Sequence, residues 1–217
     1  MVKIAPSLAA APLTHLAETV QTLEQSGADT IHFDIEDGHF VPEMNLGIRM
    51  IRELRPLTKL PFDVHLMVSN PEWLIPKLAE MGADHVSVHY EACPYPRRTL
   101  GIISEYNMQA GLAFNPQTPL PDLSFCLPFL KFILILTTEP EIETCSYLPG
   151  ILEKVSRGKK QIELEHILWE VDGGFSSNNI EDAKAVGADI VVVGRGVFGD
   201  GNIGKNIKEL KEKYERG

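Results

Sequence analysis

The segment that decides the fold is Gly27-Ala28-Asp29-Thr30-Ile31-His32-Phe33-Asp34-Ile35-Glu36, residues 27–36. Its glycine is suited to ending a helix, its aspartate to starting a turn, and the apolar residues that follow are typical of a strand. The same joint recurs as Gly82-Ala83-Asp84 and as Gly187-Ala188-Asp189, each time before another apolar run. Three copies of one joint indicate a chain that is built from repeated helix-to-strand units.

Eight strands are predicted from the apolar runs and the turn residues between them, and stretches of helical pattern separate these strands. Alternation of strands and helices predicts a parallel sheet. Eight such units predict an α/β protein that closes into a (β/α)8 TIM barrel, with residues 1–217 forming a single domain. The predicted strands are Lys3–Leu8, Thr30–Ile35, Pro61–Val68, His85–Glu91, Gln109–Asn115, Phe132–Thr138, His166–Gly173 and Ile190–Arg195.

The composition is that of a globular protein, with 44% hydrophobic and 23% charged residues among 217. The formal net charge of -10 argues against binding to nucleic acids or to an anionic membrane surface, but not against a local site for an anion. No apolar run approaches the ~20 residues of a membrane-spanning helix. The three cysteines form no CxxC pair, which favours a reducing compartment, and we expect a cytoplasmic protein.

The C-terminal ends of the barrel strands are where such folds carry their chemistry. The ends of three predicted strands hold His32, Asp34, His65 and Asp172. Two imidazoles and two carboxylates suit one divalent cation such as Zn²⁺, Fe²⁺, Mn²⁺ or Co²⁺. Alternatively, each histidine packs in the core and each aspartate caps a helix. Other residues near the ends of strands are further candidates for the site: Ser7, Met67, His89, Glu91, Gly194 and Arg195.

Two features indicate a site for an anion. Gly173 and Gly174 precede Ser176, where a helix N-terminus can bind an anion, as TIM barrels often do after strand seven. Arg195 offers a guanidinium that suits a phosphate or a carboxylate, although it could instead pair with a nearby surface glutamate. Glu36 shares a strand face with Asp34, so it is a possible additional member of the site.

The chain resembles the ribulose-phosphate 3-epimerase family over essentially its whole length. No single segment carries this resemblance, and the combination is what makes it specific. The family is a metal-dependent TIM barrel, which agrees with the strand count above. The matching segments are residues 4–7 (IAPS), 32–42 (HFDIEDGHFVP), 63–67 (DVHLM), 88–91 (VHYE), 115–119 (NPQTP) and 171–174 (VDGG).

The resemblance implies roles for these residues. One divalent metal ion would be held by His32, Asp34, His65 and Asp172, with Asp34 and Asp172 also serving as the acid/base pair. Ser7 and His65 would contact the sugar. The implied reaction removes the proton at C3 of a 2-ketose phosphate and returns one to the opposite face through a cis-enediolate. It would convert D-ribulose 5-phosphate to D-xylulose 5-phosphate or act on a related sugar phosphate, in a protein that forms a homo-oligomer.

The sequence departs from the family pattern in three places. The family usually has a glycine-rich lid over the substrate phosphate after strand six, whereas residues 137–146 contain no glycine and three glutamates. This segment either repels a phosphate or tilts outward as a solvated loop. Arg195 stands where a small residue is common. Glu36 and Leu136 stand where methionines are expected, which leaves Met67.

These departures leave two alternatives beside the leading hypothesis of a ketose-phosphate 3-epimerase. The first is a divergent epimerase that acts on another ketose or on a non-phosphorylated one. The second is a non-catalytic sugar-binding barrel, which the pair Asp34 and Asp172 argues against, because binding alone does not need two opposed carboxylates.

Overall fold

A computed structural model describes residues 2–139, 147–161 and 166–216 of the chain. Over these ranges eight strands and eight helices follow one another. None of the helices in the described ranges combines the length and the apolar character needed to cross a bilayer.

The strands are β1 (Lys3–Pro6), β2 (Ile31–Glu36), β3 (Phe62–Met67), β4 (His85–His89), β5 (Gln109–Phe114), β6 (Leu130–Leu136), β7 (Leu168–Asp172) and β8 (Ile190–Val193). The helices are α1 (Leu16–Gln25), α2 (Arg49–Leu54), α3 (Ile75–Met81), α4 (Pro96–Glu105), α5 (Glu153–Lys159), α6 (Ile180–Ala185), α7 (Arg195–Phe198) and α8 (Ile203–Arg216).

All eight strands pair in parallel in the order β1-β8-β7-β6-β5-β4-β3-β2. The first and last members of this order, β1 and β2, meet through a single bridge between Ser7 and His32. The sheet therefore curls into a nearly closed barrel, and the predicted (β/α)8 TIM barrel is confirmed. Its closing seam lies beside His32, one of the predicted site residues.

The predicted strand bounds differ from the observed ones by a few residues. Strand β1 ends at Pro6 instead of Leu8, because the Ser7 hydroxyl accepts the N–H of Ala9 and starts a turn of 3-10 helix. A larger difference lies between β5 and β6, where the described chain forms only a short 3-10 turn instead of a helix. Three prolines, at positions 116, 119 and 121, explain this, since each removes a helical hydrogen bond.

The glycines of the three Gly-Ala-Asp joints all adopt the left-handed conformation that was predicted for them. The φ angles are 79° at Gly27, 89° at Gly82 and 70° at Gly187. A left-handed residue is costly without a glycine, so these positions end the helices and redirect the chain into the next strand.

The aspartates of these joints tie neighbouring strands together at the N-terminal end of the barrel. Each carboxylate accepts a backbone N–H from the strand before it and also pairs with a cationic side chain. The N–H donors are Ile4 to Asp29 (2.8 Å), Phe62 to Asp84 (2.7 Å) and Trp169 to Asp189 (2.8 Å), and the cations are Lys211 (2.8 Å), Arg55 (3.1 Å) and Lys159 (3.1 Å) respectively. The repeated sequence motif is therefore a repeated structural brace.

The two faces of the strands have different surroundings. Phe33, Phe62 and Trp169 lie on the outer face and are buried in the large apolar cluster beneath the helices. Side chains alternate along a strand, so the residues between them point into the barrel. His32, Asp63 and Glu170 are on this inner face and are at most 1% exposed. The apolar layer holds the barrel together, while its interior carries ionisable groups.

We expect Asp84→Ala to lower the free energy of unfolding by about 1–2 kcal/mol, because it leaves the Phe62 N–H without its acceptor and removes the partner of Arg55. Urea unfolding at constant pH measures this loss. The control is Glu105→Ala at the exposed end of α4, which we expect to change the free energy by less than about 0.5 kcal/mol. Equal effects of the two substitutions would contradict a bracing role for Asp84.

Candidate functional site

The register of β2 against β3 brings the first site residues together. His32 is paired with Asp63, and Asp34 is paired with His65. Asp172 reaches the same place from the end of β7. One ligand atom from each of His32, Asp34, His65 and Asp172 lies within 4.8 Å of the others. The structure thus brings together the four residues that were predicted to hold a metal.

The spacing within this four-residue cluster fits a bound cation. His32 Nε2 and His65 Nδ1 lie 3.2 Å and 3.3 Å from Asp34 Oδ1. The same two nitrogens lie 3.9 Å and 3.8 Å from Asp172 Oδ2. Ligands about 2.1 Å from a tetrahedral ion are roughly 3.4 Å apart, so the cluster could hold a metal with small adjustments.

The ring of His32 is held from behind by a buried carboxylate. Its Nδ1 lies 2.7 Å from Asp63 Oδ2 and 3.6 Å from Glu170 Oε1. An ionised carboxylate can only accept hydrogen bonds, so Nδ1 of His32 donates to Asp63. Nε2 of His32 therefore faces the cluster. Burial and the charge of Asp63 raise the pKa of Glu170 well above its usual value, so Glu170 is a neutral acid here.

Asp63 and Glu170 were not predicted as functional residues. The sequence does carry a signal for both, since each stands two residues before a predicted ligand on the same strand face: Asp63 before His65, and Glu170 before Asp172. The register that places Asp63 beside His32 is a property of the assembled sheet, and the alternation of side chains alone does not reveal it.

A second chain of contacts leads away from His65. Its Nε2 lies 2.9 Å from Nε2 of His89, whose Nδ1 lies 3.1 Å from Glu91 Oε2. Burial lowers the pKa of His89 to about 4, and the ring is therefore neutral. Burial opposes ionisation of Glu91, but hydrogen bonds from His89, Thr118 and the backbone outweigh it and lower its pKa to about 2. His89 is buried inside the barrel.

The two carboxyl groups of the cluster differ in proton affinity. Burial alone would raise the pKa of Asp34, but the charge and hydrogen bonds of His32 and His65 hold it far below the usual range. Ser7 Oγ also donates to Asp34 Oδ2 at 2.5 Å. Burial and the charge of Asp34 raise the pKa of Asp172 to about 7. Asp34 is therefore ionised near neutral pH, whereas Asp172 is only partly ionised there.

A cavity of about 540 Å³ opens above the cluster. It is lined by Asp172, a predicted catalytic residue and metal ligand, and by four residues that were predicted to bind substrate, namely Ser7, Gly174, Gly194 and Arg195. It is also lined by residues that the sequence analysis did not single out: Ala9, Ala10, Asn45, Phe175 and Gly196. The cavity thus connects Asp172, and Ser7 beside Asp34, with the predicted anion-binding end. Of the remaining predicted residues, Met67 is buried at the end of β3 and Gly173 lies at the end of β7.

The two glycines after β7 are required by close approaches of the backbone. Their φ angles are 118° at Gly173 and 75° at Gly174. A Cβ atom at Gly173 would lie 2.5 Å from Cγ2 of Thr138. The helix predicted to begin close behind them starts only at Ile180, and the Ser176 N–H donates to the side chain of Asn179 at 2.8 Å.

Glu36 stands beside the four-residue cluster and is not a member of it. Its Oε2 accepts the N–H of Asn45 at 2.9 Å, and the side chain is buried. Asn45 lines the cavity, so Glu36 supports the wall of the site from behind.

Arg195 is exposed at the start of α7, and it forms no ion pair with an acidic residue of the described ranges. The glutamate-containing loop predicted to replace the phosphate lid falls largely on residues 140–146, which lie outside the described residues, as does Cys145.

Asp37 fixes the loop that follows β2. Its carboxylate accepts N–H bonds from His39 (2.9 Å), Phe40 (2.7 Å) and Ser69 (2.7 Å). These donors outweigh the effect of burial and lower the pKa of Asp37 from 3.8 to about 2. The loop between Asp37 and Asn45 is thereby attached to the end of β3.

Comparison with known proteins decides the family. The sequence model of the Ribulose-phosphate 3 epimerase family matches residues 3–198. The chain belongs to this family. The ribulose-phosphate 3-epimerase of Bacillus subtilis is 36% identical over 214 residues, covering 97% of this chain and 99% of the relative. That of Synechocystis sp. is 39% identical over 213 residues, covering 96% and 92%.

Solved structures support the fold alone, because their sequence identities are low. The structure of KGPDC from Streptococcus mutans has a TM-score of 0.71 at 15% identity, covering 100% of this chain and 98% of that one. The thiamine phosphate pyrophosphorylase from Pyrococcus furiosus has a TM-score of 0.66 at 18% identity, covering 99% and 96%. As a member of the ribulose-phosphate 3-epimerase family, the protein is an enzyme and an isomerase.

We expect the stabilising effect of Asp37 to depend on pH. Its folded pKa of about 2 lies below the ordinary 3.8, so the ionised form stabilises the fold above pH ~4 and this contribution is lost as the pH falls toward 2. Asp37→Asn should cost about 1 kcal/mol of unfolding free energy at pH 7 and progressively less on acidification, as measured by urea unfolding over a pH series. A cost that stays constant down to pH ~2.5 would contradict this interpretation.

Proposed function

We propose that the protein is a metal-dependent 3-epimerase of a ketose phosphate, which interconverts D-ribulose 5-phosphate and D-xylulose 5-phosphate or acts on a related sugar phosphate. The observation that carries this proposal is the pair Asp34 and Asp172, two carboxyl groups of one cluster that differ in proton affinity. Asp172 lines the cavity, as does Ser7, which donates a hydrogen bond to Asp34. The names of the relatives support the choice of substrate class.

The proposed cofactor is one divalent ion, Zn²⁺, Fe²⁺, Mn²⁺ or Co²⁺, which His32, Asp34, His65 and Asp172 would hold. When bound, such an ion supplies Lewis acidity that stabilises negative charge on the oxygens of the substrate. The donor set supports this role, because two imidazole nitrogens and two carboxylate oxygens already converge at ligand-to-ligand distances.

The protein's own residues perform the proton transfers. Asp34, which is ionised, takes the C3 proton from one face of the ketose. Asp172, in its protonated form, returns one to the opposite face of the enediolate and inverts the centre. In the reverse reaction the two residues exchange roles. The Ser7 hydroxyl donates a hydrogen bond to Oδ2 of Asp34 and so orients this base. The other carboxylate oxygen of Asp34, Oδ1, faces the two histidines of the cluster.

The phosphate end of the substrate is assigned to the side of the cavity formed by Gly174, Gly194 and Arg195. Backbone groups can approach an anion closely at the glycines, and the Arg195 guanidinium can supply charge-assisted hydrogen bonds. Met67 and Gly173 would complete the predicted substrate contacts.

A second candidate function is the epimerisation of another ketose or of a free one. The three glutamates at positions 139, 141 and 143 favour it, since they occupy the segment where a phosphate-binding lid is expected.

Cys93 and Cys126 are free, which supports a reducing compartment, and we propose the cytoplasm. The homo-oligomer stays a prediction from the family resemblance.

Isotope exchange tests the proposed reaction. Metal-loaded protein in D₂O should incorporate deuterium at C3 of D-ribulose 5-phosphate and form D-xylulose 5-phosphate, as followed by NMR. Asp34→Asn and Asp172→Asn should each lower the rate by about 10²–10⁴-fold, because each removes one proton carrier. Asp200→Asn, which changes an exposed carboxylate outside the cavity, is the control and should leave the rate unchanged.

The same assay separates the candidate functions. No C3 exchange with any pentulose or hexulose phosphate would overturn the proposal. Equal rates with free and phosphorylated sugars would favour the second candidate. Sugar binding without exchange and without bound metal would favour a non-catalytic barrel.

Arg195 should affect binding of the anion more than the chemical step. We expect Arg195→Ala to raise the KM for the phosphorylated substrate about 3–10-fold, with little change in kcat, since an exposed guanidinium contributes a modest ion pair. Competitive inhibition by inorganic phosphate should weaken by the same factor, and Arg195→Lys should recover part of it. A fall in kcat at constant KM would contradict this role.

A further inference from the structure

His89 and Glu91 lie behind the metal-binding cluster and are not part of the four-ligand set. We propose that Glu91 is a positioning residue that acts through His89 to fix the tautomer of His65, so that the lone pair of His65 Nδ1 faces the cluster. This inference deepens the proposed function and rests on its metal site. Three contacts connect Glu91 to the cluster, and each fixes the position of one proton.

The first contact fixes the proton of His89. An ionised carboxylate accepts hydrogen bonds but does not donate them, so the 3.1 Å contact between Glu91 Oε2 and His89 Nδ1 requires a proton on that nitrogen. Glu91 Oε1 accepts the backbone N–H of Asn115 at 2.9 Å. The carboxylate is thus held by a fixed donor on one oxygen and presents the other to the ring.

The second contact passes this choice to His65. A neutral imidazole carries one N–H, so a proton on Nδ1 of His89 leaves its Nε2 as an acceptor. That nitrogen lies 2.9 Å from Nε2 of His65, and the ring planes are inclined by only 25°. A hydrogen bond between two nitrogens needs one proton, which must therefore come from His65 Nε2.

The third contact is the cluster itself. With a proton held on Nε2, His65 can exchange a proton on Nδ1 for a cation, and Nδ1 lies 3.3 Å from Asp34 Oδ1 and 3.8 Å from Asp172 Oδ2. The reverse tautomer would point an N–H at the position of the cation and remove a ligand. We call the chain of contacts from Glu91 through His89 to His65 the relay. The relay selects the tautomer of His65 that can bind a metal.

The two histidines of the cluster are controlled by carboxylates at different distances. Asp63 contacts His32 directly at 2.7 Å. Glu91 reaches His65 only through a second imidazole that is completely buried. Phe40 packs against this intervening ring, with centroids 4.6 Å apart, and so restricts its rotation. A buried and rotationally restricted His89 has few ways of satisfying its two nitrogens other than the observed chain.

Nitrogen-15 NMR of the wild-type protein with labelled histidines tests the relay directly. In metal-free and in zinc-loaded protein at about pH 8, we expect a proton on Nε2 of His65 and on Nδ1 of His89, and we expect zinc to leave Nδ1 of His65 without a proton. A proton on Nε2 of His89, or a bare Nε2 on His65, would overturn the relay. Zinc that fails to shift the His65 signals would instead overturn the proposed metal site, and the metal-free measurement would still decide the relay.

Glu91→Gln reverses the relay with almost no change in side-chain volume. The backbone N–H of Asn115 would donate to the amide oxygen of the new glutamine. The amide NH₂ would then face His89 and donate to its Nδ1, which must carry no proton. We expect the protons on both rings to change nitrogens and zinc affinity to fall about 10–100-fold, as measured by chelator competition.

Glu72→Gln is the matched control, because Glu72 is also partly buried and hydrogen-bonded, to Thr99 at 3.0 Å, but does not contact either ring. It should leave the tautomers unchanged and the zinc affinity within about twofold of the wild type. Retention of the wild-type tautomers and zinc affinity in Glu91→Gln would overturn the proposal. The wild-type spectra decide it if this variant does not fold.

Discussion

The hydrogen bond between His32 Nδ1 and Asp63 Oδ2 is the interaction on which the site depends. It joins β2 to β3 inside the barrel, it turns Nε2 of His32 toward the cluster, and it gives a buried carboxylate a partner. A buried charge is tolerated only when it is paired and hydrogen-bonded. This one contact therefore influences the strand register, the orientation of a ligand and the charge of the interior. It also lies beside the closing seam of the barrel.

The arrangement of charge follows from how the barrel divides its two ends. At the N-terminal end, Asp29, Asp84 and Asp189 each pair with a cation and with a backbone N–H, so their role is structural. At the C-terminal end, Asp34 and Asp172 share a low-dielectric space with two imidazoles. The same residue type stabilises the fold at one end, and at the other it is placed so that burial separates two proton affinities.

Some elements could be read from the sequence because they depend on local chemistry. The three Gly-Ala-Asp joints were predicted from residue type alone, and all three glycines are left-handed. The alternation of His32 and Asp34 with Phe33 correctly placed polar groups on one face of a strand. The region between β5 and β6 was predicted less well, since its prolines were given too little weight against the expectation of a repeating helix.

By itself, the sequence determined the (β/α)8 repeat, the rim on which the polar residues lie and the identity of the four residues that converge there. Only the tertiary structure decided what stands behind those residues. Asp63 faces His32 because of the β2–β3 register, and Glu36 turns to the backbone of Asn45 instead of to the cluster. His89, at the end of β4, bridges His65 of β3 to Glu91 in the turn after β4. The physical reason is that periodicity specifies the face a side chain occupies, whereas its partner is set by register and strand order between distant segments.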